Sequence, residues 1–365
     1  MIENSFGIPE LREQLLGDGL ELENVTDVPL CPWRIRGHHL LRVEVDDTEE
    51  AFQSFRRRLH DVRDLLEDGR LVVVNGIEGS GKTTLIHRCV DDLQSRIVQA
   101  LGHIPDDTPT GEPGDWALRS HEDRICIADL SDKASKVAYV NGQICPISVI
   151  NRRIFERVVD ALARRFGPSE KLRALAANER DSPEILYEKL SEEFLQDRKF
   201  FLLVILPSIK LGPRLAHLEF LRSYVNFTDP RLVFFGETTE RDIAGELGPF
   251  DYRKKDVLVN VSVGELKDID LEKFVKTRTS RKGLAKSHVI IAPRTLSDAR
   301  PDIDYKTVRV LQNWLFEVGE IARGASREEI LPDDFTVYQE RLLGTLVRHR
   351  VEPRSGGDGQ GEPQG

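Results

Sequence analysis

A glycine-rich segment at residues 76–83 has the residue types and the spacing of a phosphate-binding loop. Its sequence, GIEGSGKT, is an unbroken G-x-x-x-x-G-K-[ST] pattern. Glycines allow the backbone to curl around a phosphate chain, so that successive N–H groups point at the anion. We expect Lys82 to reach the β- and γ-phosphates and the Thr83 hydroxyl to ligate Mg²⁺.

The flanking residues predict the strand and the helix that position such a loop. Residues 71–74 are a short apolar run that ends at Asn75-Gly76, and apolar residues recur at helical spacing from Leu85 to Leu101. The N-terminus of that helix would add a positive dipole to the anion site. ATP and Mg²⁺ are therefore the expected cofactors. The residues predicted to contact the nucleotide here are Gly76, Ile77, Glu78, Gly79, Ser80, Gly81, Lys82, Thr83 and Thr84.

The composition is ordinary for a globular protein with a hydrophobic core. Of the 365 residues, 39% are hydrophobic and 31% are charged, and the formal net charge is −10. Dedicated nucleic-acid-binding domains usually have a basic bias, so the overall charge gives no support for a nucleic-acid partner. The sequence shows neither a signal peptide nor an uncharged apolar run of about 20 residues. We therefore expect a cytoplasmic protein that does not bind membranes.

The cysteines indicate free thiols. They are widely spaced and form no C-x-x-C pair, which favours buried, unpaired side chains. The four are Cys31, Cys89, Cys126 and Cys145. The adjacent His38 and His39 would point to different sides of an extended chain and have no carboxylate partner in the sequence pattern. We expect no metal site at these two histidines.

Further apolar runs predict the other strands of an α/β fold. They alternate with segments of helical spacing, which is typical of a layered protein with a parallel sheet. The run FFLLVIL is apolar throughout, as expected for a strand buried on both faces. The dipeptide Asn141-Gly142 predicts a tight hairpin between residues 136–140 and 143–147. The predicted sheet strands are 71–74, 124–130, 200–206, 231–236 and 256–263.

The pattern divides the chain into four parts. We expect an N-terminal segment at 1–46, which includes a short helix over 9–16, and a phosphate-binding α/β core at 47–265. The spacing becomes helical from residue 266, which predicts a helical domain at 266–350. The tail at 351–365 is rich in Gly, Glu, Gln and Pro and is expected to be disordered. No effector domain follows the helical domain, so we expect another chain to carry the output.

The order of these parts resembles the AAA+ and STAND class of P-loop ATPases, and especially the compact Orc/Cdc6-like and transposition-type ATPases. The features that carry the resemblance are Pro32-Trp33 and Gly37 before the first helix, the 76–83 loop, and the helical domain after the strands. The resemblance covers roughly residues 30–348. It implies a three-layer sandwich with a parallel sheet of order 5-1-4-3-2 and a C-terminal helical lid.

The resemblance also implies roles for residues outside the loop. Trp33 and Gly37 occupy the place where the family packs a segment on the adenine. Thr238 matches the sensor 1 position at the tip of the fourth strand, and Arg309 matches a sensor 2 arginine that would touch the γ-phosphate. An oligomer of this chain, or a complex with a partner protein, is the implied assembly.

The sequence departs from the family at the catalytic acid. The third strand should end in an acidic pair, but Pro207 and Ser208 stand there. Three alternatives remain open. The site binds nucleotide without efficient hydrolysis, or Glu237 after the fourth strand supplies the carboxylate, or the segment RICIADLSD at 124–132 is the true acidic strand and Asp129 binds Mg²⁺. The candidate catalytic residues are Lys82, Glu237, Thr238 and Arg309, and the candidate metal ligands are Thr83 and Asp129.

These patterns predict an ATP-binding switch ATPase that acts in an oligomer or a multi-protein complex, with weak hydrolysis. One alternative is a nucleotide-bound scaffold that does not hydrolyse ATP. Another is the ATPase of a DNA transaction such as transposition or replication loading, for which the basic run at 276–286 would contact phosphates. Aromatic residues do not interleave with that run, which disfavours stacking on single strands.

Overall fold

The computed structural model describes residues 2–12, 21–25, 28–103, 120–212, 214–240, 243–247, 257–280, 287–299 and 306–351. The strands, numbered in chain order, are β1 (Ile8–Arg12), β2 (Glu21–Val25), β3 (Arg70–Asn75), β4 (Ile125–Asp129), β5 (Tyr139–Val140), β6 (Gln143–Ile144), β7 (Phe201–Ile205), β8 (Leu232–Thr238), β9 (Leu258–Ser262), β10 (Ile290–Ile291) and β11 (Glu329–Ile330). The helices are α1 (Thr48–Arg58), α2 (Lys82–Leu101), α3 (Ala134–Ala138), α4 (Ile147–Phe166), α5 (Glu170–Ala177), α6 (Pro183–Leu190), α7 (Arg214–Asn226), α8 (Ile243–Leu247), α9 (Asp268–Thr279), α10 (Pro293–Ala299), α11 (Val308–Gly324) and α12 (Pro332–Val351).

A five-stranded parallel sheet forms the centre of the core. Its order is β4-β7-β8-β3-β9. Counted along the chain from the strand that precedes the phosphate loop, this order is 2-3-4-1-5, which is 5-1-4-3-2 read from the other edge. All residues of β7 are buried, in agreement with the continuous apolar run that predicted a strand covered on both faces.

Helices cover both faces of the sheet, so the core has three layers. On one face α4, α6 and α7 pack on the sheet, and on the other face α1 and α2 do so. The adjacent residues Phe234 and Phe235 point to opposite faces because side chains alternate along a strand. Phe234 meets Tyr187 at 5.2 Å between ring centroids, and Phe235 meets Phe55 at 6.4 Å.

A separate hydrophobic core lies among the C-terminal helices α9 to α12. Trp314 and Phe335 stack there with ring centroids 4.5 Å apart. The N-terminal residue Phe6 is buried in the same cluster, and the Asn4 side chain donates hydrogen bonds to the Phe316 carbonyl and the Glu320 carboxylate. The helical domain is therefore completed by residues from the start of the chain.

Two local predictions need correction or refinement. The helix predicted over 9–16 is wrong at residues 9–12, because β1 occupies residues 8–12 and pairs antiparallel with β2, and this pairing overrides helix propensity. Residues 13–16 lie outside the described residues. The Asn141-Gly142 turn forms, but its strands β5 and β6 have only two residues each because α3 occupies residues 134–138. None of the helices in the described part of the chain is long and apolar enough to cross a bilayer.

Candidate functional site

The phosphate loop joins β3 to α2 and has the backbone that its glycines were expected to allow. Gly79 and Gly81 have φ angles of 82° and 83°, in the left-handed region where a side chain is strained. The Lys82 ammonium donates hydrogen bonds to the carbonyls of Gly76 at 3.0 Å and Ile77 at 2.8 Å. Burial lowers the pKa of Lys82, against the opposing effect of the Glu237 carboxylate. The ammonium therefore lies folded over the loop, where a phosphate oxygen could replace the carbonyls.

The Thr83 hydroxyl donates a 2.7 Å hydrogen bond to Oε2 of Glu237. Glu237 lies near the end of β8, and in the register of the sheet it is opposite Val74 of β3. Because both strands are parallel and adjacent, the carboxyl end of β8 lies beside the start of the loop. The structure thus brings two of the predicted site residues together, a hydroxyl and a carboxylate next to the phosphate loop.

Asp129 lies elsewhere. It ends β4 at the edge of the sheet, and β7 and β8 lie between that strand and β3. Its Oδ1 accepts hydrogen bonds from the backbone N–H and the hydroxyl of Ser131, at 3.1 and 2.7 Å. This placement favours Glu237 over Asp129 as the carboxylate near Thr83.

The usual acidic position after β7 has no carboxylate. Pro207 is buried, and Ser208 is exposed and lines the same cavity as the loop.

Two residues that the sequence pattern does not indicate lie nearby. Lys210 forms an ion pair with Glu78 of the loop at 3.2 Å. His217 of α7 lines the cavity, and its buried Nε2 has no hydrogen-bond partner in the part of the chain that the structure describes. Neither residue has a motif, since a lone lysine in a loop and a lone histidine in a helix carry no pattern.

The N-terminus of α11 contacts the phosphate loop directly. The backbone N–H of Arg309 donates to the Gly79 carbonyl at 3.1 Å, and a Cβ at Gly79 would lie 2.9 Å from the Thr307 hydroxyl oxygen. Gly79 is thus required by its φ angle and by this contact. The Arg309 side chain is exposed and lines the cavity. The structure therefore places Arg309 beside the loop, where a sensor arginine is expected.

Thr238 is the last residue of β8, and its side chain is buried. Its hydroxyl accepts a 3.0 Å hydrogen bond from the Glu240 N–H, and its carbonyl accepts a 3.1 Å bond from the Gly76 N–H. These bonds shape the turn after the strand and the entry to the phosphate loop. A sensing role for Thr238 stays a prediction.

A cavity of about 810 Å³ extends from the loop to the segment before α1 and to helices α9 and α11. The Thr84 hydroxyl oxygen accepts a 3.2 Å bond from the Leu30 N–H, which attaches this segment to α2. Among the described residues, Pro32 and Ile35 belong to the cavity wall, whereas Trp33 and Gly37 do not. Trp33 instead stacks on His87 of α2, with ring centroids 6.0 Å apart. Gly37 is exposed.

Buried polar groups also line the cavity. Arg278 is only 1% exposed and donates a 2.6 Å hydrogen bond to Oε1 of Gln312. It belongs to the basic run at 276–286, so this arginine is part of the cavity wall rather than a surface contact for nucleic acid. Residues 281–286 of that run lie outside the described residues.

Asp46 also lines the cavity; it is 1% exposed, and its carboxylate oxygens have no hydrogen-bond partner among the described residues. The nearby Thr48 hydroxyl donates instead to the Val45 carbonyl at 2.6 Å. Burial, with a smaller effect of the Asp270 charge, raises the pKa of Asp46 from 3.8 to about 8. The cavity therefore offers a carboxyl group that is protonated near neutral pH and can donate a hydrogen bond.

The raised pKa of Asp46 predicts a pH-dependent stability. The folded protein holds this proton more tightly than the unfolded chain, so its contribution to stability is complete below pH 3.8 and is lost as the pH rises to about 8. In Asp46→Asn, the free energy of unfolding should fall less steeply over this range. Urea unfolding across the range tests this, with Asp61→Asn as control, because the pKa of Asp61 is lowered to about 2 and lies below the range. Parallel curves for wild type and Asp46→Asn would contradict the prediction.

No protein-family model and no curated protein matches this sequence. Solved structures of similar fold include the ORC2 protein of Aeropyrum pernix in ADPNP and ADP complexes, with 14% identity over 80% of this chain and 66% of that chain, and a TM-score of 0.46. The Drosophila ORC bound to DNA has 12% identity over 93% of this chain and 74% of that chain, with a TM-score of 0.47. The ORC1 protein of A. pernix in complex with DNA has 16% identity over 81% of this chain and 67% of that chain, with a TM-score of 0.46. This chain thus spans about two thirds of the A. pernix proteins.

Proposed function

We propose that this protein binds ATP with Mg²⁺ at the phosphate loop and that the bound nucleotide sets the position of the helical lid. The observation that carries the proposal is the 2.7 Å hydrogen bond between the Thr83 hydroxyl and the Glu237 carboxylate. This bond brings together two possible metal ligands, the neutral hydroxyl of Thr83 and the charged carboxylate of Glu237, close to Lys82 of the loop. Oxygen ligands of this kind, together with a lysine, bind the metal ion and the phosphates of a nucleoside triphosphate.

The donor set fits Mg²⁺, which prefers oxygen ligands and keeps several waters. Thr83 would supply one oxygen directly, and Glu237 would orient the ion or one of its waters. When bound, Mg²⁺ neutralises charge on the β- and γ-phosphate oxygens. Lys82 would exchange its two loop carbonyls for phosphate oxygens, a shorter and stronger charge-assisted pairing. Glu237 is also our candidate to orient the attacking water. It lies near enough to His217 for its charge to raise the pKa of that histidine, against the larger lowering effect of burial.

A lid that responds to nucleotide needs a contact that differs between ATP and ADP. Arg309 is suited to this role, because its backbone is bonded to Gly79 and its side chain is exposed in the cavity. We propose that Arg309 reads the γ-phosphate and transmits its presence to α11. The change in the lid would then be passed to a second copy of this chain or to a partner protein.

Calorimetric titration of the full chain with ATP, with and without Mg²⁺, tests the proposal. Mg²⁺ should tighten ATP binding, and Thr83→Ala should reduce that gain by about 10-fold, as expected when the shell of a metal is disturbed. Thr277→Ala is a matched control, since its hydroxyl bonds only within α9, to the Lys273 carbonyl. An affinity for ATP that is independent of Mg²⁺ in the wild type would contradict the proposed site.

Arg309→Ala should separate ATP from ADP. Loss of a charged contact to the γ-phosphate should weaken ATP binding by about 10-fold and leave ADP binding unchanged. Arg323→Ala serves as control, because Arg323 lies in the last turn of the same helix and pairs with Glu320. Equal loss for both nucleotides would assign Arg309 to general binding rather than to sensing.

A scaffold that keeps its nucleotide is the second candidate. It is favoured by Pro207 and Ser208, which leave the usual acidic position without a carboxylate. Phosphate release at background rate, in a protein that binds ATP, would support this candidate.

Two of the similar structures contain DNA. In the described part of the basic run the exposed cation is Lys276, so the run adds little support for a DNA-dependent function.

A further inference from the structure

Three side chains with metal-binding atoms lie together beside the nucleotide cavity, and each comes from a different element. Cys31 belongs to the segment before α1, His87 to α2, and Asp129 to the end of β4. One ligand atom from each lies within 4.8 Å of the other two. The residues are 56 and 42 positions apart in the sequence, by subtraction of their numbers, so no motif links them.

His87 is the member of this cluster that most needs a ligand. It is 2% exposed, and both of its ring nitrogens lack a hydrogen-bond partner among the described residues. Its Nε2 is 3.9 Å from Oδ2 of Asp129, which is too far for a hydrogen bond. A buried imidazole without partners is unfavourable, since it has lost water and gained nothing in return. The ring is nevertheless fixed in orientation, because Trp33 stacks on it with 17° between the planes.

The other two ligands are also held in place by neighbouring groups. Oδ1 of Asp129 accepts both hydrogen bonds from Ser131, which leaves Oδ2 on the side of His87. The backbone N–H of Cys31 donates to Nδ1 of His38 at 2.8 Å, so the segment that carries the thiol is fixed beside α2. Outer groups that orient ligands in this way are typical of metal sites in proteins.

We propose that Sγ of Cys31, Nε2 of His87 and Oδ2 of Asp129 bind a Zn²⁺ ion. A sulfur, a nitrogen and an oxygen donor are the ligands that Zn²⁺ accepts, whereas Mg²⁺ and Ca²⁺ prefer oxygen alone. In a tetrahedral zinc site, ligand atoms are about 3.3–3.6 Å apart, as follows from bond lengths near 2.0–2.3 Å. The three ligand atoms lie within 4.8 Å of one another, with 3.9 Å between His87 and Asp129. The side chains would therefore have to close by at most about 1.5 Å to reach zinc-site separations. A water molecule would complete the four ligands.

This site has other ligands than the proposed Mg²⁺ position at Thr83 and Glu237, although His87 lies one helical turn after Thr83 on α2. The metal would join the segment at residues 28–35 to α2 and to β4. The same segment lines the cavity and is already bonded to Thr84 through Leu30. Bound Zn²⁺ would therefore fix the position of residues 28–35, the part of the cavity wall that we expect to lie beside the nucleobase. The metal binding itself does not rest on the proposed function.

The experiment uses the full chain without an affinity tag, freed of metal with a chelator. Titration with Zn²⁺ should show one ion per chain, and Co²⁺ as a spectroscopic substitute should give a thiolate-to-cobalt charge-transfer band. Cys31→Ser and His87→Gln should each weaken Zn²⁺ binding by at least about 100-fold and remove the band. Cys145→Ser is the matched control, since that half-buried thiol lies near the hairpin and outside the cluster.

Wild-type protein that binds no Zn²⁺, or Cys31→Ser that binds it with unchanged affinity, would overturn the proposal. If His87→Gln fails to fold by circular dichroism, Asp129→Asn replaces it, because the Asp129 side chain is 22% exposed and tolerates change. The same zinc titration on Lys82→Ala separates the two proposals. That variant should keep its zinc whatever becomes of its nucleotide binding.

Discussion

Lys82→Ala should lower the affinity of the protein for ATP by about 10- to 100-fold, the range expected for loss of a hydrogen bond to a charged group. The ammonium is buried over the loop, and its two present partners, the carbonyls of Gly76 and Ile77, can be exchanged for phosphate oxygens. Equilibrium binding of a fluorescent ATP analogue measures the change.

Lys171→Ala is the matched control for Lys82→Ala. Lys171 is exposed and pairs with Asp197 far from the cavity, so its removal should leave ATP binding unchanged. Equal affinity of wild type and Lys82→Ala, with both proteins folded, would refute a nucleotide site at this loop. A similar loss in both lysine variants would indicate a general effect of net charge.

Glu237→Gln should reduce steady-state phosphate release by about 100-fold or more, the usual effect of removing a positioned acid or base. Glutamine keeps the length of the side chain, and its amide oxygen can still accept the hydrogen bond from Thr83. The binding of ATP should therefore change less than its turnover. Glu219→Gln on the exposed side of α7 is the control, and it should release phosphate at the wild-type rate.

Turnover of Asp129→Asn distinguishes the alternatives that the sequence left open. If phosphate release falls in Asp129→Asn but persists in Glu237→Gln and in the zinc-site variant Cys31→Ser, the edge strand β4 carries the catalytic acid. If wild type releases no phosphate above background, the nucleotide-bound scaffold is the better description of this protein.

The local part of the fold could be predicted because its signals are local. The loop has its own glycine and lysine pattern, and the continuous apolar run at 200–206 places β7 within one residue at each end. Apolar runs record burial directly, so the sheet strands appear in the sequence before any contact is known. By contrast, β1 has residues that favour a helix, and its antiparallel pairing with β2, which the residues of β1 alone do not reveal, makes it a strand.

The pairs that define the candidate site could not be predicted in the same way. Thr83 and Glu237 are 154 residues apart, and β8 had to extend beyond the predicted end at Gly236 to carry the carboxylate to the loop. The sequence places Arg278 in the basic run at 276–286, which predicts an exposed side chain, yet Arg278 is buried in the cavity wall. Charge patterns along a sequence do not reveal which face of a helix another element will cover.

The burial of Phe6 among the C-terminal helices has a consequence for the order in which the protein folds. Asn4 and Glu320, which bond across that core, are 316 residues apart, so the closing of this loop costs more entropy than any contact within the sheet. The sheet and its phosphate loop can form while the chain is still being synthesised, whereas the lid must wait for nearly the last helix. A newly made molecule would thus pass through a stage in which the phosphate loop has formed and the lid is incomplete. At that stage Phe6 would still be exposed to solvent.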